Sequence, residues 1–121
     1  MPADRPAPGH RQVLGARGEA LAAQWYEAAG YQVEARNWRC REGEIDLVVR
    51  RGRCVVFCEV KTRTTDAFGA PAEAVGRAKR ARIRRLAARW LAEESALRAR
   101  QIRFDVVAVV GTSVEVIEGA F

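Results

Sequence analysis

Two kinds of apolar spacing alternate along this chain. In residues 15–29, GARGEALAAQWYEAA, Glu19, Ala22, Tyr26 and Ala29 recur at i, i+3, i+7 and i+10 and so share one helical face. Gly30 suits the left-handed residue that ends a helix. The spacing then shortens. YQVEARNW (31–38) alternates and predicts a first strand, and GEIDLVVR (43–50) and CVVFCEVKT (54–62) predict a hairpin turning through RRGR, with Gly52 supplying the permissive backbone. TRTTDAFGA (62–70) is polar and reads as a loop. Helical spacing returns after it. Pro71 fits a first helical position and Glu73 its positive N-terminal end. This second helix runs to about Leu91, with Val75, Ile83, Leu86 and Trp90 facing inward. IRFDVVAVV (102–110) is nearly continuous in apolar residues, as a central strand is, and Gly111 turns it into SVEVIE (113–118).

The predicted order is helix, three strands, helix, two strands, which makes an α/β domain over residues 14–121 behind a flexible tail, 1–13. At 121 residues, 49% hydrophobic and 30% charged, the chain suits one globular domain. No apolar run approaches the ~20 residues of a membrane span. MPADRPAPGHRQV has no apolar centre and does not read as a signal peptide, so the expected compartment is the cytoplasm and no membrane partner is expected. Cys40, Cys54 and Cys58 are expected as thiols there. A zinc site is disfavoured, because the single histidine, His10, lies in the tail and tetrahedral zinc wants four ligands.

Charge breaks the apolar pattern at a few positions. Strand side chains alternate faces, so Glu44, Asp46 and Val48 share one face of the second strand, opposite Ile45, Leu47 and Val49. On the third strand Val55, Phe57, Glu59 and Lys61 share a face. A hairpin at Gly52 makes Asp46 and Glu59 neighbours, with Lys61 a step further along. Two close carboxylates repel, and one takes up a proton unless a cation intervenes. Mg²⁺ prefers a few carboxylate oxygens plus water, and a lysine beside such water orients it or takes its proton. The pattern therefore suits metal-assisted hydrolysis of a phosphodiester. The same residues also fit exposed cross-strand ion pairs, and spacing alone leaves both readings open. Glu19 interrupts the inward stripe of the first helix and Lys79 that of the second. Such breaks are expected at functional sites, although a helix-end charge and a snorkelling lysine explain them equally well. Glu44 reads as a supporting charge, and Asp105 beside Arg103 as a structural ion pair.

Four stretches in order, GARGEALAAQWYEAAGYQVEARNWRCREGEIDLVV, VVFCEVKTR, FGAPAEAVGRAKRARI and RFDVVAV, resemble the YraN-like family of bacterial proteins. A looser signature, Asp46 followed by Glu59-Val60-Lys61 on the next strand, is similar to that of the PD-(D/E)XK nuclease superfamily, particularly archaeal Holliday-junction resolvases. The resemblance implies a restriction-endonuclease-like α-β-β-β-α-β core, a mixed central sheet flanked by helices. It implies that Asp46, Glu59 and the backbone carbonyl of Val60 ligate Mg²⁺ or Mn²⁺, that Lys61 assists the attacking water, and that Glu19 completes the acidic cluster. The superfamily's usual proline before the first strand acid is absent; Ile45 stands there.

Net charge bears on the partner. Twenty-one Lys and Arg against 15 acids give a formal +6, which favours a polyanion. Arg77, Lys79, Arg80, Arg82, Arg84, Arg85 and Arg89 crowd the second helix with no acid among residues 77–89. Lys79, Arg80, Arg82 and Arg85 are the expected phosphate-backbone contacts. The expectation is a metal-dependent endonuclease acting on DNA, with branched or single-stranded DNA as candidate substrates and a homodimer, as in the resolvases, left open. The alternatives are a nucleic-acid-binding protein without catalysis and a protein-interaction adaptor, each retaining the fold.

Overall fold

The computed structural model describes residues 10–63 and 75–121. Helix α1 spans His10–Ala28, and strands β1 (Gln32–Cys40), β2 (Gly43–Arg51) and β3 (Cys54–Arg63) follow. Helix α2 (Arg77–Glu93), a 3-10 turn at Ser95–Leu97, β4 (Gln101–Val110) and β5 (Ser113–Ile117) complete the order. The strands form one sheet in the order β1-β2-β3-β4-β5. β3 and β4 run parallel, and the other neighbours are antiparallel. The parallel pair needs a crossover, and α2 lies within it. This is the mixed sheet flanked by helices that the sequence predicted.

Each helix covers one face of the sheet. Ala22, Ala23 and Tyr26 of α1 pack on Leu47, Val49, Val56, Cys58, Val107 and Val109. Leu86, Ala87 and Trp90 of α2 pack on Ile45, Val48, Val55 and Phe57. Phe57 is fully buried, edge-on to Trp90 and stacked on Phe104. Burying such a side chain is worth about 1.5–3 kcal/mol. A close approach seats α1: a Cβ on Gly18 would meet Thr62 Oγ1 at 1.9 Å, so only glycine lets the helix lie against β3. Val75 is buried just ahead of α2, next to Ile83 and Val106. All three cysteines are free thiols. No helix among the described residues is long and apolar enough to cross a membrane.

Several expectations need correction. α1 begins at His10, so residues 10–13, expected in the tail, are helical; residues 1–9 lie outside the described residues. The helix ends at Ala28, leaving Ala29 exposed rather than on the inward face. β1 runs to Cys40, two residues past Trp38, and β3 runs one residue past the expected Thr62, to Arg63. The rest of that loop, and Pro71 and Glu73 of the expected second helix, lie outside the described residues; the helix begins only at Arg77, so Val75, expected on its inward face, is buried ahead of it. Ile45 does not share a face with Leu47 and Val49; it joins the cluster of Val48. The pleat fails there for a local reason. The β2–β3 ladder ends at Leu47↔Cys58, and one residue on, the Asp46 carboxylate accepts the Val60 N–H. On β2's other side, Asn37 of β1 adopts a left-handed φ of 50°.

Candidate active site

Asp46 and Glu59 meet where β2 leaves β3 and α2 begins. They line one cleft of about 280 Å³ with Gly43, Glu44, Lys79, Arg82, Ile83 and Leu86. β3 presents Glu59 on the α2 face, continuing the alternation of Val55 and Phe57. Glu59 is only 6% exposed, and a carboxylate at that depth needs counter-charge. Two lysines supply it at one oxygen: Lys61 Nζ lies 3.3 Å from Glu59 Oε1, and Lys79 Nζ bonds the same atom. The Lys79 side chain is in the first turn of α2, 36% exposed.

Asp46 is held by the backbone. The Val60 N–H donates to Asp46 Oδ2 at 2.8 Å. In a strand the N–H and C=O of one residue point to the same side, so the Val60 carbonyl also faces β2. Burial pushes the Asp46 carboxyl up to about 7, and the negative charges of Glu59, Glu19 and Glu44 add to the rise, against the pull of the Val60 N–H. Burial also lowers the Lys61 ammonium, helped by its neighbour Lys79. Burial opposes the charge of Lys79 as well, but its bonds to Glu59 outweigh this and raise it.

The remaining predicted residues divide. Glu19 does not line this cleft. It lies in an adjoining hollow of about 370 Å³ with Gly15, Ala16, Asn37, Arg39 and Glu44. Burial raises its carboxyl, a bond to the Asn37 side chain opposes that rise, and Glu44 adds to it. Glu44 lines both spaces and pairs with Arg39 at 2.8 Å, the supporting place expected of it. Arg82 lines the cleft and Arg85 is exposed on the same helix. Arg80 is engaged internally: its Nε donates to the Val75 carbonyl at 2.8 Å, and its guanidinium sits 5.5 Å from the Phe121 ring centre. Sequence reasoning missed the bond between Lys79 and Glu59. The signal was present, because Lys79 falls in the inward arc of α2 that holds Ile83, Leu86 and Trp90.

The donor set fits a hard divalent cation. The Val60 amide takes one Asp46 oxygen and the lysines share one Glu59 oxygen. Among the described residues no partner takes the second oxygen of either carboxylate and neither cysteine nor histidine lines the cleft, so those oxygens and the Val60 carbonyl are the donors on offer. Among the described residues no group of three His, Cys, Asp or Glu side chains gathers to hold a metal. The arrangement is therefore no all-protein cage; it matches the one or two carboxylates, completed by water and phosphate, that Mg²⁺ accepts.

A family model described as "Uncharacterised protein family UPF0102" matches residues 18–109, a span that holds every predicted site residue from Glu19 to Arg85. A UPF0102 protein of Beutenbergia cavernae is 59% identical over 102 residues, covering 84% of this chain and 86% of that one. A UPF0102 protein of Nocardia farcinica is 56% identical over 104 residues, covering 86% and 81%. One from Frankia casuarinae is 53% identical over 116 residues, covering 92% and 98%.

Proposed function

The chain belongs to the UPF0102 family, and on that premise, joined to the chemistry of its cleft, we propose that it is a Mg²⁺- or Mn²⁺-dependent nuclease that hydrolyses phosphodiester bonds in DNA. One observation carries the reading: Asp46 and Glu59, from adjoining strands, line a single cleft with a lysine from β3 and a lysine from α2 on Glu59. A pure binding surface has little use for close carboxylates, since they repel phosphate. The superfamily resemblance supports the same roles.

In this reading Asp46, Glu59 and the Val60 carbonyl hold the cation. When bound, the cation supplies Lewis-acid stabilisation of the charge that develops on the phosphate. Lys61, held as an ammonium beside Glu59, orients the attacking water. The new bond forms between water oxygen and phosphorus as the water gives a proton to solvent, and the P–O3′ bond breaks opposite it, O3′ taking a proton from solvent, to leave a 3′-hydroxyl and a 5′-phosphate. Arg82 at the cleft rim and exposed Arg85 draw in the phosphate backbone. Glu19, in the adjoining hollow, adds its charge to the acidic cluster, and Glu44, paired with Arg39, lies between the two spaces.

The test is cleavage of branched and single-stranded DNA by purified protein with Mg²⁺ or Mn²⁺. Asp46→Ala is expected to abolish cutting; equal activity in wild type and variant overturns the proposal. Arg82→Glu with Arg85→Glu is expected to weaken DNA binding and flatten its salt dependence. A second reading has its own support. Two lysines already neutralise Glu59 without a metal, as suits a non-catalytic DNA-binding protein that keeps the fold. DNA binding that persists unchanged in Asp46→Ala, with no cutting by wild type, favours it.

A further inference from the structure

Among the described residues, the inner part of the cleft sets two acids against two lysines without any ion. Asp46 and Glu59 bring two carboxylates, and Lys61 and Lys79 bring two ammonium groups. Glu44 at the rim is matched by Arg39. The two lysines are not equivalent. Lys61 rises from β3 two residues after Glu59 and shares its sheet face, so its backbone keeps it within reach of that carboxylate. Lys79 reaches Glu59 from a different element, across the cleft, on a stem that is the more exposed of the two. It sits three residues before Arg82, which lines the same cleft from an exposed position.

We propose that Lys79 is a displaceable counter-ion: it occupies Glu59 in the ion-free protein, yields that carboxylate to an entering divalent cation, and turns to a backbone phosphate of the nucleic acid, so that cation and polyanion bind cooperatively. The proposal rests on reading the cleft as a metal site. A divalent cation added to a neutral cluster leaves an excess of two positive charges, and Lys79 freed from Glu59 becomes one of them. A phosphate at the cleft mouth compensates that excess and gives the ammonium a new partner. Linkage makes the effect reciprocal: whatever draws Lys79 off Glu59 raises cation affinity, and the cation raises polyanion affinity by the same factor. The cluster thus disfavours loading until substrate arrives.

The experiment is calorimetric titration of the full chain with Mn²⁺, alone and with a phosphorothioate oligonucleotide, for wild type, Lys79→Met and Arg53→Met. Arg53 is exposed in the β2–β3 turn and removes the same charge away from the cleft. Circular dichroism melts check that each variant is folded. Wild type is expected to bind Mn²⁺ more tightly with the oligonucleotide, on the order of tenfold, within the range of ordinary coupling energies. Lys79→Met is expected to bind Mn²⁺ about tenfold more tightly without oligonucleotide and to gain little on its addition. Arg53→Met is expected to match wild type. If Lys79→Met binds the free ion no better than wild type, the counter-ion role is wrong although the metal site stands. An equal gain in Arg53→Met makes the effect one of net charge and also overturns it. If no variant binds Mn²⁺ under either condition, the metal reading itself falls and takes this proposal with it.

Discussion

Asp105 and Glu59 are both buried acids on adjacent parallel strands, and the sheet separates them. Asp105 pairs across with Cys58, and Glu59 with Val106, so one acid points toward α1 and the other toward α2. Asp105 is fully buried and accepts from the Tyr26 hydroxyl at 2.7 Å, Arg103 Nε at 2.8 Å, Arg103 Nη2 at 3.0 Å and the Gly119 N–H at 3.0 Å. Those donors are themselves fixed. Tyr26 has no exposed surface, and Arg103 also donates to the Tyr31 hydroxyl at 3.1 Å. Glu59 has two ammonium groups on long, partly exposed stems, both at one oxygen. Burial alone does not mark a functional acid. What separates the two is whether the counter-charge can leave. Asp105 is closed into the structure, whereas Glu59 is held by groups that can give way to a cation.

The sharpest way to break this contrast is Asp105→Ala. The variant leaves the Arg103 guanidinium without its main anion and Tyr26 without an acceptor. Removing one partner of a buried pair costs about 3–5 kcal/mol. Urea denaturation is expected to show a loss of that size, with Mn²⁺ binding by the folded fraction unchanged. A loss below about 1 kcal/mol, the scale of an exposed pair, would mean that Asp105 is no more locked than Glu59. Tyr26→Phe is a gentler test on the same side. It removes one of four donors and leaves the aromatic packing with Trp25 and Tyr31 in place. The expected cost is about 1.5–3 kcal/mol, that of one hydrogen bond to a charged group.

The closed network was harder to read in the sequence than the open site. The Arg103–Asp105 pair was legible, because the two residues share a strand face. The partners Tyr26, Tyr31 and Gly119 were not, since they lie 14 to 79 residues from Asp105 or Arg103 and nothing local points to them. The open site was more visible because it breaks the apolar period of three separate elements at Asp46, Glu59 and Lys79. What periodicity could not supply was the end of the β2–β3 ladder at Leu47↔Cys58. Strict alternation puts Ile45 with Leu47, whereas it sits with Val48 where pairing with β3 has ended and Asn37 of β1 is left-handed. Glu19 was placed inward correctly in kind, but a helical wheel does not say which of two adjoining hollows a side chain enters. Arg80 was read as a phosphate contact because it lies in a basic run, and the run does not reveal that Phe121 and the Val75 carbonyl hold it.

The open site also carries a pH response through Asp46. Asp46, beside Glu59, is pushed from its ordinary 3.8 up to about 7 by burial and then by the Glu59 charge. In chelator-treated protein the folded state therefore binds more protons than the unfolded one between those values. Stability from this group is fully present below 3.8 and is lost as pH rises through about 7. Its slope is at most about 1.4 kcal/mol per pH unit, one proton's worth. Glu19, also raised, works in the same direction. Urea midpoints measured from pH 4 to 8 are expected to fall more steeply in wild type than in Asp46→Asn, and saturating Mn²⁺ is expected to flatten the difference. Parallel curves for the two proteins would rule out repulsion between Asp46 and Glu59 as a source of pH dependence.

Glu59→Gln should have the smallest effect on stability and is for that reason the most telling. The amide oxygen of glutamine can still accept from both lysines. Each lysine is partly exposed and can turn its ammonium to water. Loss of the Glu59 charge also relieves Asp46, whose carboxyl that charge helps to raise. These effects oppose one another, and the net change is expected within about 1.5 kcal/mol, the scale of one ordinary hydrogen bond. Mn²⁺ affinity is expected to fall far more, because one of two anionic ligands is gone. Denaturation and calorimetry on the same sample therefore separate the two acids: residue 105 governs stability and leaves Mn²⁺ binding alone, and residue 59 does the reverse. If Glu59→Gln instead unfolds the protein as Asp105→Ala does, Glu59 is a structural anion like Asp105, and the cleft is a polar core that happens to open on solvent.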